Sequence, residues 1–282
     1  MRGPLERGPA LLFCPANRPD RYAKALERGD AVILDLEDAL TPADRATARQ
    51  QVLEHPLDPG RTIVRVNPAG TADFAQDLQM LSHTRYTTVM LAKTETTSDL
   101  DALAGFKVLA LCETALGVLN APRIAAHHST VALMWGAEDL IASLGGSSSR
   151  NASGTYRDVA LHSRSRVLLA AGAHGKLAID SVFLDIADHP GLLHESRDAV
   201  ACGFGAKAAI HPGQVPFIRE GFAPSAAELE LASSVLAAAH GRGVFEFGGR
   251  MIDEPLLRHA RSVLARSGAT PPVPAAPPPT AE

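Results

Sequence analysis

Eight short apolar runs punctuate the chain: "LLFCP" at 11, "AVILDLED" at 31, "TIVRVN" at 62, "TTVMLAK" at 87, "KVLALCE" at 107, "TVALMWGAED" at 130, "LAIDSVFLD" at 177 and "AKAAIHP" at 206. They are nearly continuous in hydrophobicity rather than alternating. That is how strands covered on both faces of a parallel sheet read. Helix signals separate them, and strand–helix repetition eight times over favours a closed (β/α)8 TIM barrel over an open doubly wound sheet. No G-x-G-x-x-G follows the first run, which removes the main support for a dinucleotide-binding fold. The chain's 282 residues suit one barrel of about 250 residues with an appendage.

The helix boundaries are partly written in the sequence. Asn17 reads as a cap with Pro19 in the first turn and Gly29 as the stop, and Thr41 with Pro42 behind it reads as the next start. After the eighth run, Ser225 and Glu228 form a capping box, Gly248 and Gly249 separate two short apolar pieces, and Pro255 starts a last helix. The expected organisation is a barrel over 1–222, a helix and lid segment over 223–269, and a disordered Pro/Ala-rich tail over 270–282.

Composition excludes several classes. Apolar residues at 46% and charged residues at 21% are globular values, and a net charge of −4 provides no field for nucleic acid or an anionic membrane. Small molecules are the expected partners. Cys14, Cys112 and Cys202 are odd in number and lack metal-ligand spacing, which fits a reducing, cytoplasmic setting. No apolar run approaches the roughly 20 residues of a membrane span, and the N-terminus lacks the core of a signal peptide.

In a barrel of this kind, chemistry belongs to the carboxyl ends of the strands. The expected ends carry Asn17 and Arg18; Asp35, Glu37 and Asp38; Arg65 and Asn67; Lys93 and Glu95; Glu113; Glu138 and Asp139; Asp185; and His211. Unpaired carboxylates are costly to bury, so an acid-rich rim calls for a cation. A hard divalent ion with oxygen ligands fits, and Mg²⁺ best, because it takes one or two carboxylates and keeps positions open for water and substrate. Each residue also has a bland reading. Asp38 could serve the loop beside Thr41, Lys93 could be a structural ion-pair partner, Asp185 could be structural, and His211 before Pro212 could be a turn residue. Cys112 has the parity of a core side chain, and His127 and His128 read as solvated at a helix end.

With "LFCPANRPDRYAKA", "VILDLEDA", "VRVN", "ALCETALG", "MWGAEDL", "AIHPGQ" and "GRMIDEP" in order, residues 11 to about 266 resemble the citrate lyase β-subunit-like branch of the HpcH/HpaI aldolase superfamily. The resemblance implies Glu113 and Asp139 as magnesium ligands, and Arg65 as the residue that holds a substrate carboxylate or oxyanion. Glu37 and Asp38 would surround metal-bound waters. It implies that Arg18 and Lys24 contact the phosphates of coenzyme A, with Ile210 and His211 near its adenine. Asp253 in "MID" would be the acid–base carboxylate, on a lid supplied across a subunit boundary of a homotrimer.

The activity implied is a Mg²⁺-dependent carbon–carbon lyase. Its substrate would be a 3-hydroxyacyl-CoA thioester of the malyl-CoA or citramalyl-CoA type, cleaved reversibly to acetyl-CoA and a 2-keto acid. Three rivals stay open at this point: a Lys93 Schiff-base aldolase, a citryl lyase component acting on a carrier-bound group, and a non-catalytic acyl-CoA-binding protein. The loop "SLGGSSSRNASGTY" at 143–156 bears on pocket shape in a way that the sequence does not resolve.

Overall fold

A computed structural model describes residues 3–239 and 242–267. The chain divides into two compact units, one ending at Arg219 and one beginning at Glu220. In chain order the elements are β1 (Ala10–Pro15), α1 (Tyr22–Arg28), β2 (Ala31–Asp35), α2 (Arg45–Glu54), β3 (Thr62–Val66), α3 (Ala72–Leu81), β4 (Thr88–Leu91), α4 (Thr97–Asp101), β5 (Lys107–Cys112), α5 (Ala115–Ala126), β6 (Thr130–Trp135), α6 (Ala137–Ser143), α7 (Asp158–Ala173), β7 (Leu177–Asp180), α8 (His189–Cys202), β8 (Ala206–Ala209), α9 (Val215–Phe222), α10 (Ala226–Ala239), β9 (Phe245–Phe247), β10 (Arg250–Ile252) and α11 (Glu254–Arg266).

Strands β1 to β8 pair in sequence order, and β8 pairs back with β1 to close a parallel barrel. All eight apolar runs become its strands. Alternation along each strand sorts the side chains. Leu11, Ala31, Ile33, Ile63, Met90, Leu109, Leu111, Ala132, Met134, Ile179, Ala206 and Ala208 form the buried interior cluster. Two residues beyond Ile33, Ile63 and Leu111, on the same parity, stand Asp35, Arg65 and Glu113. The layer above the apolar interior is therefore charged.

The opposite parity faces the helices and is not wholly apolar. Trp135, Asp180 and Lys207 are fully buried there. Asp180 accepts from Trp135 Nε1 at 2.7 Å, Arg164 Nε at 3.0 Å and Lys207 Nζ at 3.1 Å. Lys207 also donates to Glu195 and to the Ser181 carbonyl, while Arg164 reaches Asp198 and Arg150 reaches the other oxygen of Glu195. One polar network thus joins β6, β7, β8, α7, α8 and the loop after α6. Burial alone would raise the Asp180 carboxyl, but the charges of Lys207 and Arg164 and their hydrogen bonds hold it below its ordinary value.

Several boundaries differ from expectation. Asn17 does not cap the first helix: Arg18 precedes a 3-10 turn, Pro19–Arg21, that leads into α1, which Gly29 ends as expected. The Thr41 hydroxyl donates to Asp44 at 2.7 Å inside a turn, so α2 begins only at Arg45. Strand β6 stops at Trp135, which puts Glu138 and Asp139 in the first turn of α6 rather than at a strand end. Strand β7 stops at Asp180, and Asp185 lies in an exposed loop, where it accepts the backbone N–H groups of Ala187 and Asp188. His127 is not solvated. Its ring sits between Ser129 and Asp101 with the side chain 10% exposed, because the chain turns there from α5 into β6. Cys112 is buried, as its parity requires.

In the second unit, α10, β9, β10 and α11 share a core that includes Val235, Phe245, Ile252, Leu257, Val263 and Leu264. Gly248 and Gly249, at φ +59° and +75°, close the hairpin, a turn that needs left-handed backbone at both central positions. Ser225 and Glu228 make the expected capping box before α10. Asp253 caps α11, its side chain accepting from the Leu256 N–H. The tail expected to be disordered lies outside the described residues. No helix among the described residues is long and apolar enough to cross a membrane.

Candidate active site

At the carboxyl end of the barrel a cavity of about 340 Å³ is lined by Phe13, Asp35, Asp38, Arg65, Glu113 and Asp139, with Met134 among the apolar walls. Lys93, from the segment after β4, joins these acids. Its Nζ contacts Glu37, lies 3.3 Å from Asp38 and Asp139, and is 3.9 Å from Glu113. Four carboxylates from two strand ends and one helix therefore converge on a single cation. Lys93 is the one described non-glycine residue with a left-handed φ, +48°. Such a backbone costs about 1–3 kcal/mol, and here it aims the Lys93 N–H at Glu113 Oε1, 3.1 Å away.

Arg65 is 7% exposed, and its guanidinium forks onto Asp35 with two 2.6 Å hydrogen bonds. Its third nitrogen, Nη1, lies 3.1 Å from Glu37 and 3.6 Å from Asp38. A bidentate pair of this kind fixes orientation as well as charge. Asp35 is the residue that the sequence left without a role. Its parity with Ile33 was the signal, and its partner was invisible because Arg65 lies on the next strand.

Burial, and then the charge of Asp139, push the Glu113 carboxyl up to about 8 against the pull of Arg65 and Lys93. Glu37 is raised to about 7, chiefly by burial, although Arg65 and the Lys93 hydrogen bond oppose it. Burial would raise Asp38 too, but its hydrogen bond with Glu37 and the charges of Arg65 and Lys93 bring it below its ordinary value. Burial disfavours the Lys93 ammonium, yet the bond to Glu37 and the surrounding acids hold its pKa far above the usual lysine range. A lysine kept protonated in this way is a poor amine nucleophile, which counts against a Schiff base.

The Glu113 carboxylate fits against a bare backbone. A Cβ at Gly136 would stand 2.7 Å from Glu113 Oε2 and 2.8 Å from its Cβ. Gly136 has φ −121° and ψ 119°, which any residue adopts, so only the space is special. The variant Gly136→Ala is expected to displace the carboxylate and lower kcat/KM by about 10²-fold, with a stability loss of about 1–3 kcal/mol from overpacking. Steady-state kinetics beside a thermal melt checks it.

A second cavity, about 420 Å³, adjoins the first through shared walls at Phe13, Pro15 and Ile210. It brings Lys24 and His211 together with Arg21, a cation that the sequence reading passed over. His211 is also a turn residue, since its Nδ1 accepts the Gly213 N–H. Arg18 turns instead to Asp20, with hydrogen bonds of 2.8 and 2.9 Å. Asp253 belongs to the other unit, where it caps α11.

Among the described residues no three His, Cys, Asp or Glu side chains form a ready-made metal cage. A site of two carboxylates completed by water and substrate oxygens, the habit of magnesium, does not call for one. The donor set fits such an ion: Glu113 and Asp139 offer hard carboxylate oxygens beside one position that already attracts a cation.

A closed parallel barrel with converging carboxylates and an oriented arginine at its carboxyl rim has the layout of a (β/α)8 enzyme. The chain belongs to the HpcH/HpaI aldolase/citrate lyase family, whose model matches residues 10–212. It is 54% identical over 262 residues to a citrate lyase subunit beta-like protein of Mycobacterium tuberculosis, covering 93% of this chain and 96% of that one. Human mitochondrial citramalyl-CoA lyase is 30% identical, across 90% of this chain and 84% of the relative. Among solved structures, M. tuberculosis CitE in complex with magnesium, acetoacetate and coenzyme A superposes with a TM-score of 0.91 at 54% identity, over 94% of this chain and 99% of that chain.

Proposed function

We propose that this protein is a Mg²⁺-dependent carbon–carbon lyase that cleaves a 3-hydroxyacyl-CoA thioester of the malyl-CoA or citramalyl-CoA type, reversibly, to acetyl-CoA and a 2-keto acid. The observation that carries this reading is the meeting of Glu113 and Asp139 at one cation position with the oriented Arg65 beside it. Glu113 and Asp139 would hold the ion, and Glu37 and Asp38 would take its waters. Bound there, magnesium would supply Lewis acidity toward a hydroxyl and a carboxylate oxygen.

The side chains divide the remaining work. Arg65, fixed by Asp35 on one edge, offers Nη1 to a substrate carboxylate or to a developing oxyanion. Cleavage of the carbon–carbon bond passes the substrate hydroxyl's proton to a carboxylate of the acid-rich rim and leaves the 2-keto acid and a thioester enolate, which must take up a proton. Asp253 is assigned as its donor, and as the base that removes that proton from acetyl-CoA in the reverse direction. We assign the second unit as a lid that excludes water, supplied by a neighbouring subunit of a homotrimer. Lys24 and His211, with Arg18 on the preceding turn, are assigned to the phosphates and adenine of coenzyme A. The three cysteines are free, in keeping with a cytoplasmic protein.

The test is release of a 2-keto acid from malyl-CoA and citramalyl-CoA by the protein alone, with Mg²⁺ or with EDTA. Turnover that EDTA abolishes is expected. Activity only on a carrier-bound citryl group, or none at all, would sink the proposal in favour of its rivals. The lid assignment has its own variant. Because Asp253 caps α11, alanine would remove a cap worth about 1 kcal/mol together with the carboxylate. The cleaner choice is Asp253→Asn, which keeps the cap and is expected to lower kcat by on the order of 10²–10⁴-fold while substrate still binds. Undiminished kcat would refute the assignment.

A further inference from the structure

Asp139 takes its place from a short segment, residues 135–139, that is gripped at three points. Trp135 Nε1–H donates to Asp180 at 2.7 Å, the Ala137 N–H donates to Ser181 Oγ at 3.4 Å, and Ser149 Oγ–H donates to Glu138 Oε1 at 2.6 Å. The third grip has no structural necessity for the barrel itself, since it joins a loop to an exposed residue at the start of α6.

Two features make this grip consequential. Helix α6 follows Gly136, a cap position with no side chain to bond its first turn, so apart from the Ala137 N–H on Ser181 the turn lacks the usual side-chain partner for its orphan N–H groups. Glu138 also borders both the metal-side cavity and a larger cleft of about 610 Å³ outside it. Its carboxylate is therefore free to swing toward Asp139 unless something holds it.

The loop that brings Ser149 is built to hold. Ser149 is 2% exposed, and its carbonyl accepts the Arg157 N–H at 2.8 Å. Arg150, the next residue, lies over the Tyr156 ring at 3.7 Å and pairs with Glu195 at 2.7 Å. Glu195 in turn accepts from the buried Lys207. Ser149 is thus anchored to the same network that grips Trp135, and the "SSSR" stretch gains a task.

We propose that Ser149 is a positioning residue for the metal site: through Glu138 it locks the first turn of α6 and so sets the Asp139 carboxylate. The inference rests on the proposed reading of Asp139 as a magnesium ligand. Supporting contacts of this kind are typically worth 10–100-fold in metal affinity.

The experiment is direct Mg²⁺ titration by calorimetry of the whole protein and four variants. Ser149→Ala and Glu138→Ala are each expected to weaken Mg²⁺ binding by about 10–100-fold. The double variant should be no weaker than the poorer single one, because the two changes cut one contact. Glu138→Gln keeps the acceptor for Ser149 and should bind Mg²⁺ as the parent does. Glu138 is exposed, so its variants test the contact even if Ser149→Ala disturbs folding. Unchanged affinity in Ser149→Ala and Glu138→Ala, multiplied losses in the double variant, or a Glu138→Gln as weak as Glu138→Ala would overturn the inference alone. A parent protein that takes up no Mg²⁺ would remove the metal-site reading itself.

Discussion

The variant Glu113→Gln is expected to abolish magnesium binding and to lower turnover by on the order of 10³-fold, about 4 kcal/mol of barrier. The amide matches the carboxylate in shape and still accepts the Lys93 N–H, so the cavity keeps its form and only the negative charge is lost. The same variant should be more stable than the parent without metal. The Glu113 carboxyl is raised to about 8 from an ordinary 4.5, which means that the folded state holds its proton more tightly than the unfolded one. Its ionisation therefore opposes folding. That penalty is absent below the unfolded pKa, grows as pH rises from about 4.5 toward about 8, and is constant above. Glutamine carries no such penalty. Metal-free melts of the two proteins across that range should diverge with rising pH, the variant melting higher. A variant that melts lower at pH 8 would mean that Glu113 is held for structure and not for a cation.

Asp180→Ala is expected to act first on stability. It strips the central acceptor from a network in which Asp180 and Lys207 are both fully buried and Arg164 nearly so. Lys207 would keep only Glu195 and a carbonyl, and Trp135 Nε1–H would lose its partner. Removing one member of a buried ion pair typically costs about 3–5 kcal/mol. At about 2–4 °C per kcal/mol for a domain of this size, Tm should fall by on the order of 10 °C. The double variant Asp180→Leu with Lys207→Met, which removes both central charges, should recover part of the loss. Chemical denaturation of the three proteins measures this. A loss below about 1 kcal/mol for Asp180→Ala would show that the network does not carry the stability its burial suggests.

Much of the barrel was legible in one dimension. All eight apolar runs became strands, since a strand buried on both faces must be apolar along its whole length. The capping box at Ser225 and Glu228 and the paired glycines of the hairpin were legible for the same reason, as their chemistry is completed within a few residues. Boundaries were less so. The run at 130–139 hid a strand end at Trp135, because Gly136 and Ala137 give no polar break before the acids that open the helix. The run at 177–185 hid another, because Val182, Phe183 and Leu184 are apolar outside the sheet.

The site divides along the same line. The residue types and their places at strand ends were present in the sequence, and strand parity alone predicts that Asp35, Arg65 and Glu113 share the layer above Ile33, Ile63 and Leu111. What the tertiary structure alone decided is who meets whom: Arg65 with Asp35, Lys93 among four carboxylates, Glu113 against the bare backbone of Gly136, and Ser149 on Glu138. Local patterning determines elements through contacts a few residues apart. Charge pairing is settled only when closure of the barrel brings ends that are 20 to 56 residues apart in sequence within hydrogen-bonding distance.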